Sequence, residues 1–176
     1  RLVEDDNQRK AFLQRLFYYA VREGVLFGEA YAVSPEFEGV AVWHGPNVRT
    51  SLFALLFRVG AARLSCELGV RLSRRVVQFV RFLEHARRQH APAEHWHLQL
   101  LGVEPSHQRH GHARHLLAPI LARCDRANTA CFLDTQNPVN VPFYERMGFS
   151  VVHKGVVPPT KVDSWFMLRP PRGELK

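Results

Sequence analysis

The feature that most constrains the fold is a change of hydrophobic period between residues 95 and 126. "HWHLQLLGV" (residues 95–103) alternates as a strand does, whereas "ARHLLAPILARCDR" (residues 113–126) has the spacing of a helix. The loop "EPSHQRH" and then Gly111 connect the two segments. A strand joined to a helix by so short a loop predicts a sheet that is covered by helices.

The rest of the chain repeats this alternation of elements. Apolar spacing predicts a helix over Gln8–Arg22 that Gly24 ends, and a helical stretch over residues 47–90 that is broken near Gly60 and Gly69. Strand patterns occupy residues 25–34, 38–45, 129–135, 149–157 and 163–169, and a helical turn covers residues 141–149. We therefore predict one α/β (α+β) domain over residues 1–176 with a mixed sheet and a helical insertion over about residues 47–91.

Composition narrows the classes of partner. The 176 residues are 46% hydrophobic, which suits one domain, and the net charge of +8 favours anions such as nucleic acid, acidic lipid or a polyphosphate cofactor. The longest apolar run, "SLFALLF", is too short to cross a membrane, and the charged start "RLVEDDNQRK" does not resemble a secretory signal. The three cysteines have unrelated spacings, which predicts reduced thiols in a cytoplasmic protein without a membrane partner.

The segment around Gly111 has the properties of an anion site. Backbone N–H groups at the start of a helix lack partners inside the helix, and the helix dipole adds positive charge there. Gly111 and the small Ala113 permit close approach of a bound group, and Arg109 and Arg114 add formal charge. This pattern predicts a loop that binds phosphate.

The same segment offers a metal site as an alternative. His107, His110, His112 and His115 form the pattern H-x-x-H-x-H-x-x-H, which could ligate zinc. Only pairs of these side chains could share a helical face, and the run contains no cysteine or carboxylate. We therefore predict no metal.

These motifs resemble those of the GCN5-related N-acetyltransferase (GNAT) superfamily. Residues 108–113, "QRHGHA", are similar to its Q/R-x-x-G-x-G/A motif, and "FLDTQNPVNVPFYERMGF" is similar to its later strand and "fYerxGF" segment. "HWHLQLLGV", "NVPFYERMGF" and "SWFML" most resemble the branch that contains puromycin N-acetyltransferase. The resemblance implies a mixed, mostly antiparallel twisted sheet with helices on both faces and a V-shaped splay between two central parallel strands.

The resemblance also implies acetyl-CoA as co-substrate and assigns residues to it. The implied cofactor-binding positions are Leu101, Gly102, Val103, Gln108, Arg109, His110, Gly111, His112, Ala113, Asn137, Asn140 and Tyr144. The strand ending in Val103 would carry a bulge and pair with the pantetheine arm, and the loop would bind the pyrophosphate. Asn140 would hydrogen-bond the pantetheine, and Tyr144, four residues later on the same short helix, would protonate the departing thiolate.

The sequence offers several candidates for the general base. His97 lies on the motif strand, on the same face as Gln99, Leu101 and Val103 by a period of two, and it resembles a strand histidine of the arylalkylamine acetyltransferases. A histidine simply packed near the strand end fits the sequence as well. Asp134, Glu29 and His95 are weaker candidates, and a water relay could replace them all.

The sequence departs from the family at two places. The family often has glycine at the position of Arg109, so we expect part of the phosphate contact to come from a side chain. Its first strand and first helix should precede the helix at Gln8–Arg22, and they are expected to be absent here.

The leading interpretation is an acetyl-CoA-dependent N-acetyltransferase that acts on a primary amine of a small molecule by direct transfer in a ternary complex. One alternative is a non-catalytic CoA-binding regulatory module. Another is a basic nucleic-acid-binding protein, which is disfavoured because the chain lacks a basic stripe interleaved with aromatic residues. We expect no specific nucleic acid, and a monomer or homodimer.

Overall fold

The computed structural model describes residues 6–46, 48, 61–158 and 160–173. The helices in these residues are α1 (Asp6–Phe27), α2 (Ala61–His90), α3 (His112–Arg126) and α4 (Val141–Arg146). The strands are β1 (Glu29–Ala32), β2 (Gly39–His44), β3 (His95–Val103), β4 (Ala130–Thr135), β5 (Ser150–Val157) and β6 (Val162–Arg169). None of the helices in the described residues is long and apolar enough to cross a membrane.

The six strands form one sheet in the order β1-β2-β3-β4-β6-β5. Only β3 and β4 pair in parallel, and every other neighbouring pair is antiparallel. This confirms the predicted mixed, mostly antiparallel sheet, with its two parallel strands at the centre.

The sheet opens between β3 and β4. The two strands pair only from His95 opposite Ala130 to Leu98 opposite Leu133, although β3 continues to Val103 along β2. On the β2 side, the register shifts so that Gln99 is the extra residue of a bulge. The predicted splay is therefore confirmed, and the bulge lies at its apex.

Helices cover both faces of the sheet. On one face Leu117 and Ile120 of α3 and Tyr144 of α4 belong to a buried cluster with Trp43 and Leu133. On the other face, the α2 side chains Phe82 and Ala86 pack with Phe132 and Phe166, and α1 lies beside them against β1, β2 and β3. The side chains of β4 point alternately to the two faces, and β4 is buried on both sides.

Gly24 does not end the first helix, so that prediction was wrong. α1 continues through Gly24 to Phe27. A Cβ placed on Gly24 would lie 2.1 Å from Cγ1 of Val42. The glycine therefore permits the close approach of α1 to β2.

The long helical stretch is confirmed where the structure describes it. α2 covers residues 61–90, and Gly69 interrupts it with φ 71° and ψ 164°. Residues 47 and 49–60, which include Gly60, lie outside the described residues.

We expect Asp125→Asn to destabilise the fold by about 3 kcal/mol, because it would leave a buried guanidinium without its counterion. Arg169 is 3% exposed and donates two hydrogen bonds of 2.7 Å to Asp125. These bonds lower the pKa of Asp125. The stabilisation is therefore present above the ordinary aspartate pKa and is lost as the pH falls through the lowered value.

Urea unfolding of the variant tests this prediction. The matched control is Asp163→Asn, since Asp163 pairs with Lys154 at 2.8 Å on the exposed surface. That change should cost less than about 1 kcal/mol. Equal losses for the two variants would contradict the expected role of the buried pair.

Candidate functional site

The loop between β3 and α3 presents free backbone N–H groups beside the open end of the sheet. Gly111 caps α3 with φ 85° and ψ −3°, and the first N–H to bond inside the helix is that of His115, to the Gly111 carbonyl at 3.0 Å. The N–H groups of residues 112–114 precede it and have no carbonyl within the helix to bond. A Cβ on Gly111 would meet no atom within 4 Å. The start of α3 is thus open to a bound anion, as the sequence predicts.

Side chains of the loop support this arrangement. Gln108 donates a hydrogen bond of 3.1 Å from Nε2 to the Val103 carbonyl, which ties the loop to the end of β3. Arg109 is exposed and also has a positive φ of 66°. Gly102 is exposed at the same end of β3, and a Cβ there would meet no atom within 4 Å. The predicted residues 101–103 and 108–113 are therefore brought together at one end of the molecule.

Three of the four histidines in this segment have neighbouring rings. The ring of His112 lies 6.3 Å from the ring of His107 and 6.3 Å from that of His110, centroid to centroid. Across the residues that the structure describes, no three or more His, Cys, Asp or Glu side chains are placed to hold a metal ion.

A cleft of about 460 Å³ lies on the other side of the splay. Its walls come from α1 and α2, and its floor comes from β3, from the end of β4 and from α4. Leu101 lines it, and so do the end residues Asp134 and Thr135 of β4. The cleft therefore meets the gap between the parallel strands.

Tyr144 and Asn140 both line this cleft. Tyr144 is 6% exposed, and its burial, followed by the nearby charge of Asp134, raises its pKa to about 12. Asn140 belongs to the 3-10 turn Pro138–Asn140 rather than to the helix of Tyr144, so the prediction of one shared helix was wrong in this detail. Although the two residues belong to different elements, both side chains line the cleft.

Asn137 lies just before this turn and is exposed. Its side-chain oxygen accepts a hydrogen bond of 3.1 Å from the Val139 N–H and caps the turn. A role for Asn137 in cofactor binding stays a prediction.

His97 lies in a cluster of polar side chains at the floor of the cleft. Its Nε2 is 3.8 Å from Oδ1 of Asp134, and its Nδ1 is 3.5 Å from Nη1 of Arg87. Arg87 in turn donates two hydrogen bonds, of 2.7 and 2.8 Å, to Glu84. Oδ2 of Asp134 accepts a hydrogen bond of 2.8 Å from Gln136. An imidazole next to a carboxylate is chemically suited to accept a proton.

His97 was predicted to share one face of the strand with Leu101 and Val103, and this is wrong for the residues beyond the bulge. His97 faces Phe132, on the side of α1 and α2. Leu101 packs instead against the cluster that contains Leu98, and Val103 approaches Gly39 on the side of α3. Because Gln99 adds one residue to the strand, every side chain beyond it changes face.

The other candidate bases differ in position. Asp134 lines the cleft, but Glu29 lies outside its lining and is held by Arg123 at 2.6 Å. His95 lines a neighbouring cavity with His44, and burial lowers the pKa of both imidazoles, that of His44 to about 4. Of these, only Asp134 stands beside His97 in the cleft.

Glu23 is a carboxylate that the sequence analysis missed. Its Oε2 accepts a hydrogen bond of 3.0 Å from Nε2 of Gln99, the bulge residue, and burial raises its pKa. The predicted helix ended before Glu23. Had the helix been predicted to continue past Gly24, Glu23 would have been recognised as a carboxylate on its buried side.

Comparison with known proteins finds a family model that matches part of this chain. Residues 65–151 match the family model described as an acetyltransferase (GNAT) domain. A Corynebacterium glutamicum structure, described as histone acetyltransferase HPA2 and related acetyltransferase, is 21% identical with a TM-score of 0.64. That match covers 100% of this chain and 83% of the other.

Two further solved structures share the fold. The Drosophila melanogaster polyamine N-acetyltransferase is 13% identical with a TM-score of 0.56, over 96% of this chain and 82% of that one. The NatC complex bound to Gag peptide and CoA contains a chain that is 15% identical with a TM-score of 0.51, over 89% of this chain and 80% of that one.

Proposed function

Residues 65–151 match the model of a GNAT acetyltransferase domain, and from this premise we propose that the chain transfers the acetyl group of acetyl-CoA directly to a primary amine of a small molecule. This makes the protein an N-acetyltransferase with acetyl-CoA as its co-substrate. The identity of the amine, the direct route and the roles of single residues are the proposal. A place in the puromycin N-acetyltransferase-like branch also stays a prediction.

The observation that carries the proposal is the opening of β3 from β4 between the loop at Gly111 and the cleft. Beyond Leu98, the edge of β3 that faces β4 has no strand partner among the described residues, so its peptide groups can pair with an extended ligand. The pantetheine arm of acetyl-CoA is such a ligand, because it carries two amides. With its pyrophosphate at the start of α3, the arm would run along β3 and deliver the thioester to the cleft.

The cleft holds the groups that the transfer needs. The amine nitrogen attacks the thioester carbonyl carbon, a C–N bond forms, and the C–S bond breaks with its electron pair on sulfur. Tyr144 donates its proton to that thiolate, since a phenol with a pKa of about 12 stays protonated near neutral pH. His97, with Asp134 beside it, accepts the proton that the amine loses. Holding both substrates in one cleft supplies much of the acceleration.

A combined binding and turnover experiment tests the proposal. Acetyl-CoA at a hundredfold excess over its dissociation constant should stabilise the fold by about 2.7 kcal/mol, measured as a rise in Tm. Addition of a primary amine should then release CoA, measured with a thiol reagent. Stabilisation without thiol release for any amine would favour the non-catalytic CoA-binding module, and the absence of both effects would overturn the proposal.

The remaining proposals concern the whole protein. We propose that residues 1–176 form one domain, that it acts as a monomer or homodimer, and that it works in the cytoplasm. The match to the Corynebacterium glutamicum structure over 100% of this chain supports the single domain.

A further inference from the structure

We infer that the acceptor is an amphipathic monoamine, with one ammonium group on an alkyl or aryl body that carries no second charge. Its body would lie between α1 and α2, and its nitrogen beside Asp134 and His97. The inference rests on the proposed function, because the cleft is the acceptor site only if the chain transfers acetyl groups.

The walls of the cleft are apolar on both helices. α1 contributes side chains at a helical spacing, and α2 contributes a facing set one to two turns long. They are Leu13, Leu16 and Phe17 from α1, and Phe79, Val80 and Leu83 from α2. The charged lining residues of α2, Glu84 and Arg87, follow this apolar set toward the C-terminal end of the helix. Transfer of an apolar body from water to this surface would be favourable in free energy.

The charged side chains of the described lining are Glu84 and Arg87 on α2 and Asp134 at the end of β4. Nη2 of Arg87 donates charge-assisted hydrogen bonds to both carboxylate oxygens of Glu84, so the two charges largely cancel. Asp134 is bonded to the neutral amide of Gln136 and lies 3.8 Å from the imidazole of His97. Its carboxylate thus lacks a guanidinium or ammonium partner in the described residues. An acceptor ammonium would find its counterion at Asp134, next to Tyr144.

A second cationic group on the acceptor would have no counterion. With the reacting nitrogen at Asp134, a nitrogen several carbons away would lie against the apolar side chains that α1 and α2 contribute to the cleft. Burying an ammonium there without a partner has a high desolvation cost. The lining therefore selects against diamines and polyamines and in favour of amines with a plain hydrocarbon end.

The test compares hexylamine with 1,5-diaminopentane, which have equal numbers of non-hydrogen atoms and differ in whether the far end is methyl or ammonium. We expect kcat/KM for hexylamine to exceed that for 1,5-diaminopentane by at least about 100-fold. Equal values, or a preference for the diamine, would overturn the inference and leave acetyl transfer standing. If the enzyme acetylates neither compound nor any other primary amine, the proposed function fails, and this inference fails with it.

A pair of variants tests whether the apolar wall of α1 discriminates between the two amines. Leu16→Asp places a carboxylate in the apolar wall and should shift the ratio of kcat/KM values at least about tenfold toward the diamine. Tyr18→Asp is the matched control, because Tyr18 is on the same helix, is 59% exposed and lies outside the lining of the cleft. A shift of equal size in both variants would show a general charge effect and would contradict the assignment of the wall. The hexylamine comparison needs no variant and is independent of how Leu16→Asp folds.

Discussion

Gly111→Val is expected to weaken acetyl-CoA binding by more than about 100-fold. Gly111 has a φ of 85°, where a β-branched residue is strained, so the loop would move and take the N–H groups of residues 112–114 with it. Each charge-assisted hydrogen bond contributes about 1.5–3 kcal/mol, and the loss of two accounts for the expected factor. The valine side chain would also project into the open space where the pyrophosphate is expected to lie. Isothermal titration with acetyl-CoA measures the effect.

Two controls separate this prediction from its rivals. Gly69→Val introduces the same residue at a φ of 71° with no atom within 4 Å, but it lies in α2, away from the loop. It should keep acetyl-CoA affinity even if it lowers stability. A variant with His107 and His115 both changed to Gln should also keep it, since those imidazoles surround the loop without supplying its N–H groups. Loss of binding and of bound metal in the histidine variant, with Gly111→Val unaffected, would favour a metal site.

Tyr144→Phe should lower kcat by about 10²–10⁴-fold, the usual contribution of a positioned general acid. The phenylalanine ring can keep the contacts that Tyr144 makes with Phe143 and Phe149, so the fold should be preserved. KM for acetyl-CoA should change little, because the proton is needed when the thiolate leaves. Because burial raises the pKa of Tyr144 to about 12, its deprotonation should not reduce kcat until the pH approaches that value.

Tyr31→Phe is the matched control for this loss. Tyr31 also carries a phenol, but it lies on β1 and donates its hydrogen bond to Glu29, away from the cleft. Its removal should leave kcat unchanged. Steady-state kinetics with a primary amine compare the two variants. Unchanged turnover in Tyr144→Phe would exclude Tyr144 as the acid and would require another donor.

The sequence alone determined the features that are local along the chain. The alternation over residues 95–103 predicted β3, and the helical spacing over residues 113–126 predicted α3. Both predictions were possible because the spacing of apolar residues differs between strands and helices. The anion loop was predictable for the same reason, since the unpaired N–H groups and the positive φ of Gly111 belong to one short segment. The pairing of strands and the splay came from the resemblance to a family.

Tertiary structure decided which side chains meet. Gln99 looked like one more residue of an alternating strand, and only its mismatch with β2 showed that Leu101 and His97 face opposite sides. Gly24 looked like a helix stop, and only the position of Val42 explains why α1 continues past it. Neither partner is near in sequence.

The candidate site shows the same division. His97 and Tyr144 were visible as chemically suited residues, but Glu23 gained interest only through its bond to Gln99, 76 residues away. The ion pair between Arg169 and Asp125 joins positions 44 residues apart. Local patterns carry information about period and turn type, whereas register and close approach depend on contacts between segments that are distant in the chain. For that reason the loop was predictable from the sequence, while the floor of the cleft was determined by the fold.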